Sequence, residues 1–353
     1  MLKKSVVNVD DIVKEISASF DYEFNGESVF DPPKMDVPPN DFCIGLIVGP
    51  SGSGKSTLLE TFGSEEKIDW TETMAVCSHF GSAGQAQDKL AAVGLNSIPS
   101  WMRPYHVLST GEKFRADLAR RIRDGAVIDE FTSVVDRNVA KSCANAMSRY
   151  CRSSGVQGMV FASCHYDIIE WLQPDWVFDT STGELAGRGL QRRPEIRLDI
   201  EPCTKEAWAM FKDHHYLSGA INKSSRAWLA SWDGVPIGFA SALAFPSGSI
   251  KNAWREHRTV VLPDYQGLGL GVRISDAVAS IFVDHGCRYF SKTSHPRMGE
   301  YRQASSLWKP TSKNKMMRKD YNEARKTKED GHKMLHANRL CYSHEFICGL
   351  AVK

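Results

Sequence analysis

A glycine-rich stretch in the first half has the composition of a phosphate-binding turn. It reads GPSGSGKST, follows the apolar run Cys43–Val48 and precedes a segment typical of a helix. Backbone N–H groups of such a turn point at the phosphates of a nucleotide, a lysine adds positive charge, and a serine hydroxyl can bind Mg²⁺. We predict that Ser56 is the magnesium ligand. The predicted nucleotide-binding residues are Gly49, Ser51, Gly52, Ser53, Gly54, Lys55, Ser56 and Thr57.

Acidic and imidazole side chains follow two predicted strands of the same half. Asp129 and Glu130 come directly after Ala126–Ile128, and we predict that Asp129 binds Mg²⁺. Glu130 is the candidate base that polarises the attacking water. His165, at the end of GMVFASCH, is predicted to contact the γ-phosphate of ATP, although a histidine after a strand is more often structural.

The stretch LSTGE at 108–112 narrows the class of protein. Together with the preceding motifs, it makes residues 43–185 resemble a compact ABC-type ATPase. The resemblance implies a head-to-tail homodimer in which Ser109 and Gly111, with Glu112, complete the nucleotide site of the partner. It also implies that Asp136 bridges the subunits. Two features depart from the family pattern: only about fifty residues separate the two motifs, and Phe131 stands where proline is usual. The magnesium-sensing glutamine and the adenine-stacking aromatic stay open among Gln85, Gln87, Phe20, Tyr22, Phe24 and Phe30.

A second glycine-rich turn lies in the other half, where a predicted strand ends at Leu262 and a helix follows. Backbone amides at such a turn suit a pyrophosphate. A dinucleotide fold would place an acidic residue about twenty positions on at a strand end, but Asp284 lies at a predicted helix end. The pattern Q-x-x-G-x-G after a strand instead resembles the GNAT acyltransferases, which implies an acyl-CoA such as acetyl-CoA as cofactor. The implied CoA-binding residues are Gln266, Gly267, Gly269 and Gly271.

Further stretches of this half (HHYLSG and TSHP…SSLWKP) resemble phage and archaeal fusions of an ABC ATPase with a GNAT domain, and the Mom family of phage DNA-modifying proteins. The resemblance covers essentially the whole chain and implies modification of a base amino group in DNA. His215 and Tyr216 offer proton-transfer groups, or equally a packing pair at a helix end. Ser294 lies where a GNAT sheet opens around the thioester, and Tyr301 is a weaker candidate for the general acid.

Alternating strands and helices predict an α/β fold, with a P-loop ABC ATPase domain in residues 1–194 and an α+β GNAT-like acyltransferase domain in residues 195–353. The Gly- and Arg-rich stretch Gly187–Arg197 marks the predicted boundary. The closing CYSHEFICGL alternates like an edge strand. The other predicted strands and helices are Met159–Ala162, Trp176–Phe178, Ala227–Ser231, Pro236–Ala244, Thr259–Leu262, Arg288–Lys292, residues 108–123 and Val272–His285.

The net charge of +2 is unevenly distributed, because Arg297–Arg339 contains twelve Lys or Arg against five Asp or Glu. This excess indicates either a solvated helical surface or a binding surface for a polyanion such as DNA. Nine scattered cysteines are typical of reduced thiols. Neither a signal-peptide core nor an apolar run of membrane-spanning length is evident. We therefore expect a cytoplasmic protein without a membrane partner, located in the host cytoplasm if it is viral. A zinc site is disfavoured because no Cys-x₂-Cys pair accompanies His332, His336, Cys341, His344 and Cys348.

Three functions are compatible with these patterns. The first is an ATP-hydrolysing clamp whose acyltransferase modifies a base in nucleic acid. The second is an N-acyltransferase for a protein or small amine, regulated by the ATPase. The third is a DNA-binding ABC clamp whose second domain only binds.

Overall fold

The computed structural model describes residues 3–36, 38–187, 193–215, 220–246, 250–318 and 339–347. The chain divides into two compact units, Met1–Gly94 with Pro104–Pro194, and Leu95–Arg103 with Glu195–Lys353. The short segment Leu95–Arg103 thus groups with the second unit, although the sequence alone assigned it to the first domain.

The α-helices within these ranges are α1 (Asp11–Ser19), α2 (Lys55–Leu59), α3 (Ala83–Ala92), α4 (Ile98–Trp101), α5 (Thr110–Arg121), α6 (Arg137–Ser154), α7 (Ile169–Leu172), α8 (Leu270–Asp284) and α9 (Pro296–Ala304). The strands are β1 (Lys3–Val6), β2 (Glu27–Phe30), β3 (Ile44–Val48), β4 (Val127–Ile128), β5 (Met159–Ser163), β6 (Trp176–Asp179), β7 (Glu184–Gly187), β8 (Asp199–Cys203), β9 (Arg226–Trp232), β10 (Val235–Ala244), β11 (Ala253–Val261), β12 (Arg288–Thr293), β13 (Trp308–Pro310), β14 (Met316–Arg318) and β15 (Arg339–Phe346).

The first unit contains a five-stranded sheet in the order β4-β5-β3-β6-β7. The first four of these strands are parallel, and β7 pairs antiparallel with β6. Every residue of β3 and β5 is buried, which explains their continuous apolar sequences. The carboxyl ends of the parallel strands carry the glycine-rich turn and the Asp-Glu pair. This arrangement confirms the predicted α/β class of the first half.

The N-terminal region contains one helix and a two-stranded sheet. Helix α1 lies between β1 and β2, which pair antiparallel in a sheet of their own. Asp10 caps this helix by accepting from Val13 N, a local signal that the sequence analysis did not use. None of the helices described here is long and apolar enough to cross a membrane.

The second unit is built on an eight-stranded sheet in the order β13-β15-β12-β11-β10-β9-β8, with β14 also paired to β15. Helix α8 packs on this sheet through Ile274, Val278 and Phe282. The prediction of an edge strand at the end of the chain is wrong, because β15 lies between β12 and β13. Its alternating pattern reflects two different faces of an internal strand and carried no information on its neighbours.

Strands β11 and β12 are parallel neighbours that separate along their length. They pair only where Ala253–Arg255 meets Arg288–Phe290, and beyond this point β11 continues beside β10 while β12 continues beside β15. A bulge accompanies the separation, because Ser241 opposes Arg258 and Ala242 opposes Glu256, leaving His257 as the extra residue. The result is a cleft in the middle of the sheet.

Candidate nucleotide and acyl-donor sites

The turn between β3 and α2 is shaped by glycines at positive φ, with Gly49 at 147° and Gly52 at 78°. A Cβ at Gly49 would lie 1.9 Å from Thr180 Oγ1, which is 2.6 Å from Ser53 Oγ. Larger residues at this position would therefore push β6 and the turn apart. Lys55 begins α2, and its Nζ donates to Pro50 O at 2.7 Å, so the ammonium lies over the turn. Ser56 is exposed at the same end of the helix, and Ser51 is exposed within the turn.

Phe30 is the aromatic residue placed against this turn. A Cβ at Gly54, whose φ is 90°, would lie 2.7 Å from Phe30 Cζ. Of the other three candidates, Tyr22 and Phe24 stack on each other with centroids 6.4 Å apart, and Phe20 is 78% exposed. The geometry therefore favours Phe30 as the surface against which a base could stack.

The turn after β4 brings Glu130 close to the end of β5 in a strained conformation. Glu130 has φ 47° and Thr132 has φ 72°, which is costly for a β-branched residue. The turn is held in place because Phe131 N donates to Ala162 O at 2.8 Å and Ser163 Oγ donates to Phe131 O at 2.8 Å. Phe131 is fully buried, so the residue that replaces the usual proline serves the core.

The predicted γ-phosphate contact, His165, is brought to this same turn. Its Nδ1 lies 3.1 Å from Thr132 Oγ1. Burial, and then the positive charge of Arg137, lower the pKa of His165. The imidazole is therefore neutral at neutral pH and can either donate or accept one hydrogen bond at each nitrogen. Asp129 Oδ1 accepts from Glu130 N at 2.8 Å. Both residues follow β4, which is separated from β3 and its glycine-rich turn by β5.

The LSTGE stretch opens α5 as a capping box. Ser109 Oγ accepts from Glu112 N at 3.3 Å, and Ser109 N donates to Glu112 Oε2 at 2.9 Å. A purely local reason therefore exists for Ser and Glu at this spacing. Ser109 and Thr110 are exposed, so the N-terminal turn of α5 is accessible. Asp136, predicted to bridge subunits, caps α6 by accepting from Asn138 N and Val139 N.

The two glutamine candidates lie on α3. Gln85 Oε1 accepts from Gly81 N at 2.7 Å, so this side chain closes the start of its own helix. Gln87 is exposed on the same helix. The choice of a magnesium-sensing glutamine stays open.

In the second unit, the turn after β11 has the backbone conformation expected of an anion-binding turn. Gly267 has φ 99°, and Gly269 has φ 78° at the N-cap of α8. Gln266 braces the turn, because its Nε2 donates to Val261 O and its Oε1 accepts from Asn96 N, both at 2.9 Å. Gly271 lies in the first turn of α8, where an added Cβ would be 3.7 Å from the Val261 side chain.

A buried ion pair closes the cleft between β11 and β12 at its narrow end. Arg302 Nη2 donates to Glu256 Oε2 at 2.8 Å, and the two side chains are 1% and 11% exposed. Thr259 and Ser275 donate to Glu256 Oε1 and Ser291 donates to Oε2. Burial alone would raise the pKa of Glu256, but Arg302 and these hydroxyls outweigh it, so the pKa is lowered and the carboxylate is ionised. No local sequence pattern indicates this network, because its members lie on four separate elements.

His257, the extra residue of the bulge, is a second group beside the cleft that no sequence motif indicates. Its Nε2 accepts from Asn222 N at 3.2 Å. Burial, followed by the charges of Arg258 and Arg255, lowers the pKa of His257 to about 4. The ring is therefore neutral near pH 7, with its proton on Nδ1, and can act as a hydrogen-bond donor beside the cleft. The only sequence signal was a lone histidine two residues before the predicted strand Thr259–Leu262.

The predicted acceptor-side residues that the structure describes, His215 and Ser294, have different neighbours. His215 packs edge-on against Trp208, with centroids 5.7 Å apart, which is the packing contact that the sequence left as an alternative. Ser294 follows β12 and lines a cavity of about 280 Å³ with Pro296, Leu340 and Tyr342. Tyr216 lies outside the described residues.

Tyr301 does not have a free hydroxyl for an acid role. Its OH donates to Asp276 Oδ2, and burial together with this hydrogen bond raises the pKa of Tyr301 to about 12. Asp276 also accepts from Trp308 Nε1 at 2.7 Å, so Tyr301 belongs to a buried structural network.

Within the described ranges, there is no group of three or more His, Cys, Asp or Glu that could hold a metal ion. His344 is fully buried in β15, and Cys341, three residues earlier in the same strand, is also buried. His332, His336 and Cys348 lie outside the described residues, as do residues 319–338 of the basic stretch Arg297–Arg339.

Comparisons with known proteins give the following matches. The model of the acetyltransferase (GNAT) family matches residues 193–303. A dimeric ATP-binding cassette bound to ADP and phosphate has 14% identity over 44% of this chain and 88% of its own, with a TM-score of 0.34. The IAA acetyltransferase from Bacillus cereus has 14% identity over 42% of this chain and 99% of its own, with a TM-score of 0.31. An acetyltransferase from Bacillus subtilis in complex with CoA has 12% identity over 43% of this chain and 98% of its own, with a TM-score of 0.31. A search of curated proteins finds no match. The match to the GNAT acetyltransferase family therefore covers residues 193–303, nearly all of them in the second unit's part of the chain.

Proposed function

We propose that this protein is an ATP-hydrolysing ABC-type clamp joined to an acyl-CoA-dependent N-acyltransferase that modifies a base amino group in nucleic acid. The observation that carries the acyltransferase assignment is the cleft between β11 and β12, which leads to the turn Gln266–Gly271. A strand whose neighbour has moved away has unpaired backbone groups, and the amides of a pantetheine arm could pair with them. The positive φ of Gly267 and Gly269 suits a turn whose amides face a pyrophosphate.

The group transfer needs one bond to form and one to break. The lone pair of the acceptor amine attacks the thioester carbonyl carbon, the C–S bond breaks, and the amine loses a proton as the CoA thiolate leaves. We assign His215 as the proton acceptor and the Nδ1–H of His257 as a donor to the carbonyl oxygen. The charge that develops on this oxygen is the charge that a preorganised donor stabilises best. Ser294, which follows β12, is assigned to the acceptor side, and Tyr216 keeps the proton-transfer role predicted from the sequence.

The ATPase assignment is supported by the residues at the edge of the first unit's sheet. Lys55 and the glycine turn would hold the phosphates of ATP, while Ser56 and Asp129 would hold Mg²⁺. Glu130 would polarise the attacking water, and His165 would contact the γ-phosphate. Hydrolysis needs a second copy of the chain in this proposal, because Ser109 and Gly111 would complete the partner's site. ATP would power the positioning of nucleic acid, and the thioester would supply the energy of group transfer.

The nucleic-acid substrate is supported by the positive excess between Arg297 and Arg339. Binding through this stretch should weaken steeply as the salt concentration rises, because phosphate contacts release counterions. If the substrate is a duplex, the target base must leave the stack to reach the cleft. A protein or small-amine acceptor would lack this salt dependence.

The experiment is mass spectrometry of nucleosides from the DNA and RNA of cells that express the protein. Wild type should add a new acylated nucleoside, Gly269→Glu should abolish it by blocking the turn, and Lys55→Ala should reduce it. Acylated small amines without altered nucleosides would favour the second function. DNA-stimulated ATP hydrolysis without any binding of acetyl-CoA would favour a clamp whose second domain only binds.

A further inference from the structure

The segment that follows α2 is attached to the side of α5. Arg120 Nη1 donates to Asp69 O at 2.5 Å, and Arg121 Nε donates to Glu66 O at 3.1 Å. Trp70 Nε1 donates to Asp117 Oδ1 at 2.7 Å, which attaches the end of the segment to the middle of the same helix. These contacts fix the position of the carboxylate at Glu65.

One oxygen of Glu65 receives donors from two different elements. Arg121 Nη1, in the last turn of α5, lies 3.1 Å from Glu65 Oε1. Asp129 N, the first backbone amide after β4, lies 3.3 Å from the same oxygen. The side chains of the pair are only partly exposed, at 32% for Glu65 and 23% for Arg121. The carboxylate therefore connects the end of α5 to the residue that we assign to Mg²⁺.

The charges around Glu65 show why the arginine matters. Burial raises the pKa of Glu65, the Arg121 charge and the Asp129 amide lower it, and the carboxylates of Asp129 and Glu130 raise it again. Three acidic groups thus lie close together, and Arg121 supplies the compensating positive charge. Without this arginine, the carboxylate would repel Asp129 and Glu130 instead of positioning the turn.

Helix α5 has a different assigned role at each end. Its N-terminal turn carries Ser109 and Gly111, and its last turn carries Arg121, about 18 Å away at 1.5 Å per residue. We propose that Glu65 and Arg121 are a positioning pair that couples the two ATP sites of the dimer, linking the engagement of α5 with one nucleotide to the placement of Asp129 at the other. This inference rests on the ATPase function proposed above.

The test compares Glu65→Gln with the matched control Glu66→Gln. Glu66 pairs with Arg123, and both side chains are about half exposed, at 46% and 51%, so the control removes an adjacent acidic charge that does not contact Asp129. Glu65→Gln keeps an oxygen for Asp129 N and so preserves the backbone contact. The readouts are the Mg²⁺ concentration for half-maximal ATP hydrolysis, the Hill coefficient for ATP, and ATP affinity without Mg²⁺.

We expect Glu65→Gln to raise the Mg²⁺ concentration for half-maximal hydrolysis about tenfold. Loss of a group that orients a metal ligand weakens metal binding about 10- to 100-fold, and we expect the lower end of this range. The Hill coefficient should fall from its wild-type value toward 1, since coupling between the two sites is lost. ATP affinity without Mg²⁺ should not change. Arg121→Gln should have the same effect, and the double variant should be no worse than either single variant.

The outcomes separate this inference from the function on which it rests. If wild type does not hydrolyse ATP, or if Ser109→Ala leaves its turnover unchanged, the proposed ATPase function fails. If wild type hydrolyses ATP cooperatively but Glu65→Gln and Glu66→Gln behave alike, only the coupling role of Glu65 is refuted. An unfolded Glu65→Gln protein would be recognised by its thermal transition, and Arg121→Lys, which keeps the charge, must then retain wild-type Mg²⁺ dependence.

Discussion

Replacement of Arg302 by methionine should destabilise the second unit more than any surface change. The guanidinium is buried and is the largest influence that lowers the pKa of Glu256. Its removal leaves a buried carboxyl group bonded only to hydroxyl groups. Breaking a buried pair by removing one partner costs about 3–5 kcal/mol. Methionine keeps apolar contact with Trp308, over whose ring the Arg302 guanidinium now lies at 4.6 Å, so lost packing adds little.

The assay is differential scanning calorimetry, because the two units can unfold in separate transitions. At about 2–4 °C per kcal/mol for a unit of this size, Arg302→Met should lower the midpoint of the second unit by about 6–20 °C. The matched variant is the double change Glu256→Gln with Arg302→Met, which has no buried charge. We expect the double variant to be more stable than Arg302→Met alone. A shift below 2 °C for Arg302→Met, or additive losses in the double variant, would refute the reasoning.

Three further predictions concern other parts of the molecule. Glu130→Gln should bind ATP without hydrolysing it and accumulate as a dimer in size-exclusion chromatography; normal hydrolysis would contradict the assignment of the base. Phe30→Ala should weaken ATP binding about 5- to 100-fold through lost stacking on adenine, whereas the exposed Phe20→Ala should not, as measured by titration. The pKa of His257 in the folded protein is about 4, below its ordinary 6.5, so the unfolded chain binds more protons between these pH values. The stability of the fold should therefore fall as the pH drops from 6.5 to 4. His257→Gln should lose this part of the pH dependence in thermal unfolding, and an identical slope for the variant and wild type would contradict the prediction.

The parallel strands of the first unit could be predicted because burial on both faces leaves a continuous apolar run. Cys43–Val48 and Met159–Ala162 differ from the observed strands by one residue each. The glycine-rich turn at 49–57 is equally local, since its glycines allow the positive φ values that shape it. Information of this kind is present in a short window of sequence.

The groups that the sequence did not reveal depend on contacts between distant parts of the chain. Glu256 and Arg302 are 46 positions apart, and Glu65 and Asp129 are 64 apart. Each residue alone is typical of a solvated surface, and only folding shows that it is paired. The error at β15 has the same origin, because alternation reveals the faces of a strand but says nothing about its neighbours.

The location of β15 has a consequence for the order in which the chain acquires structure during translation. Residues 339–346 insert between β12 and β13, which are both made earlier by the ribosome. Until they emerge, one edge of β12 lacks its partner, and nascent second units on neighbouring ribosomes could join edge to edge. The five-stranded sheet of the first unit requires no such late strand, since its last strand ends at Gly187. Chaperone demand should therefore peak in the last part of synthesis.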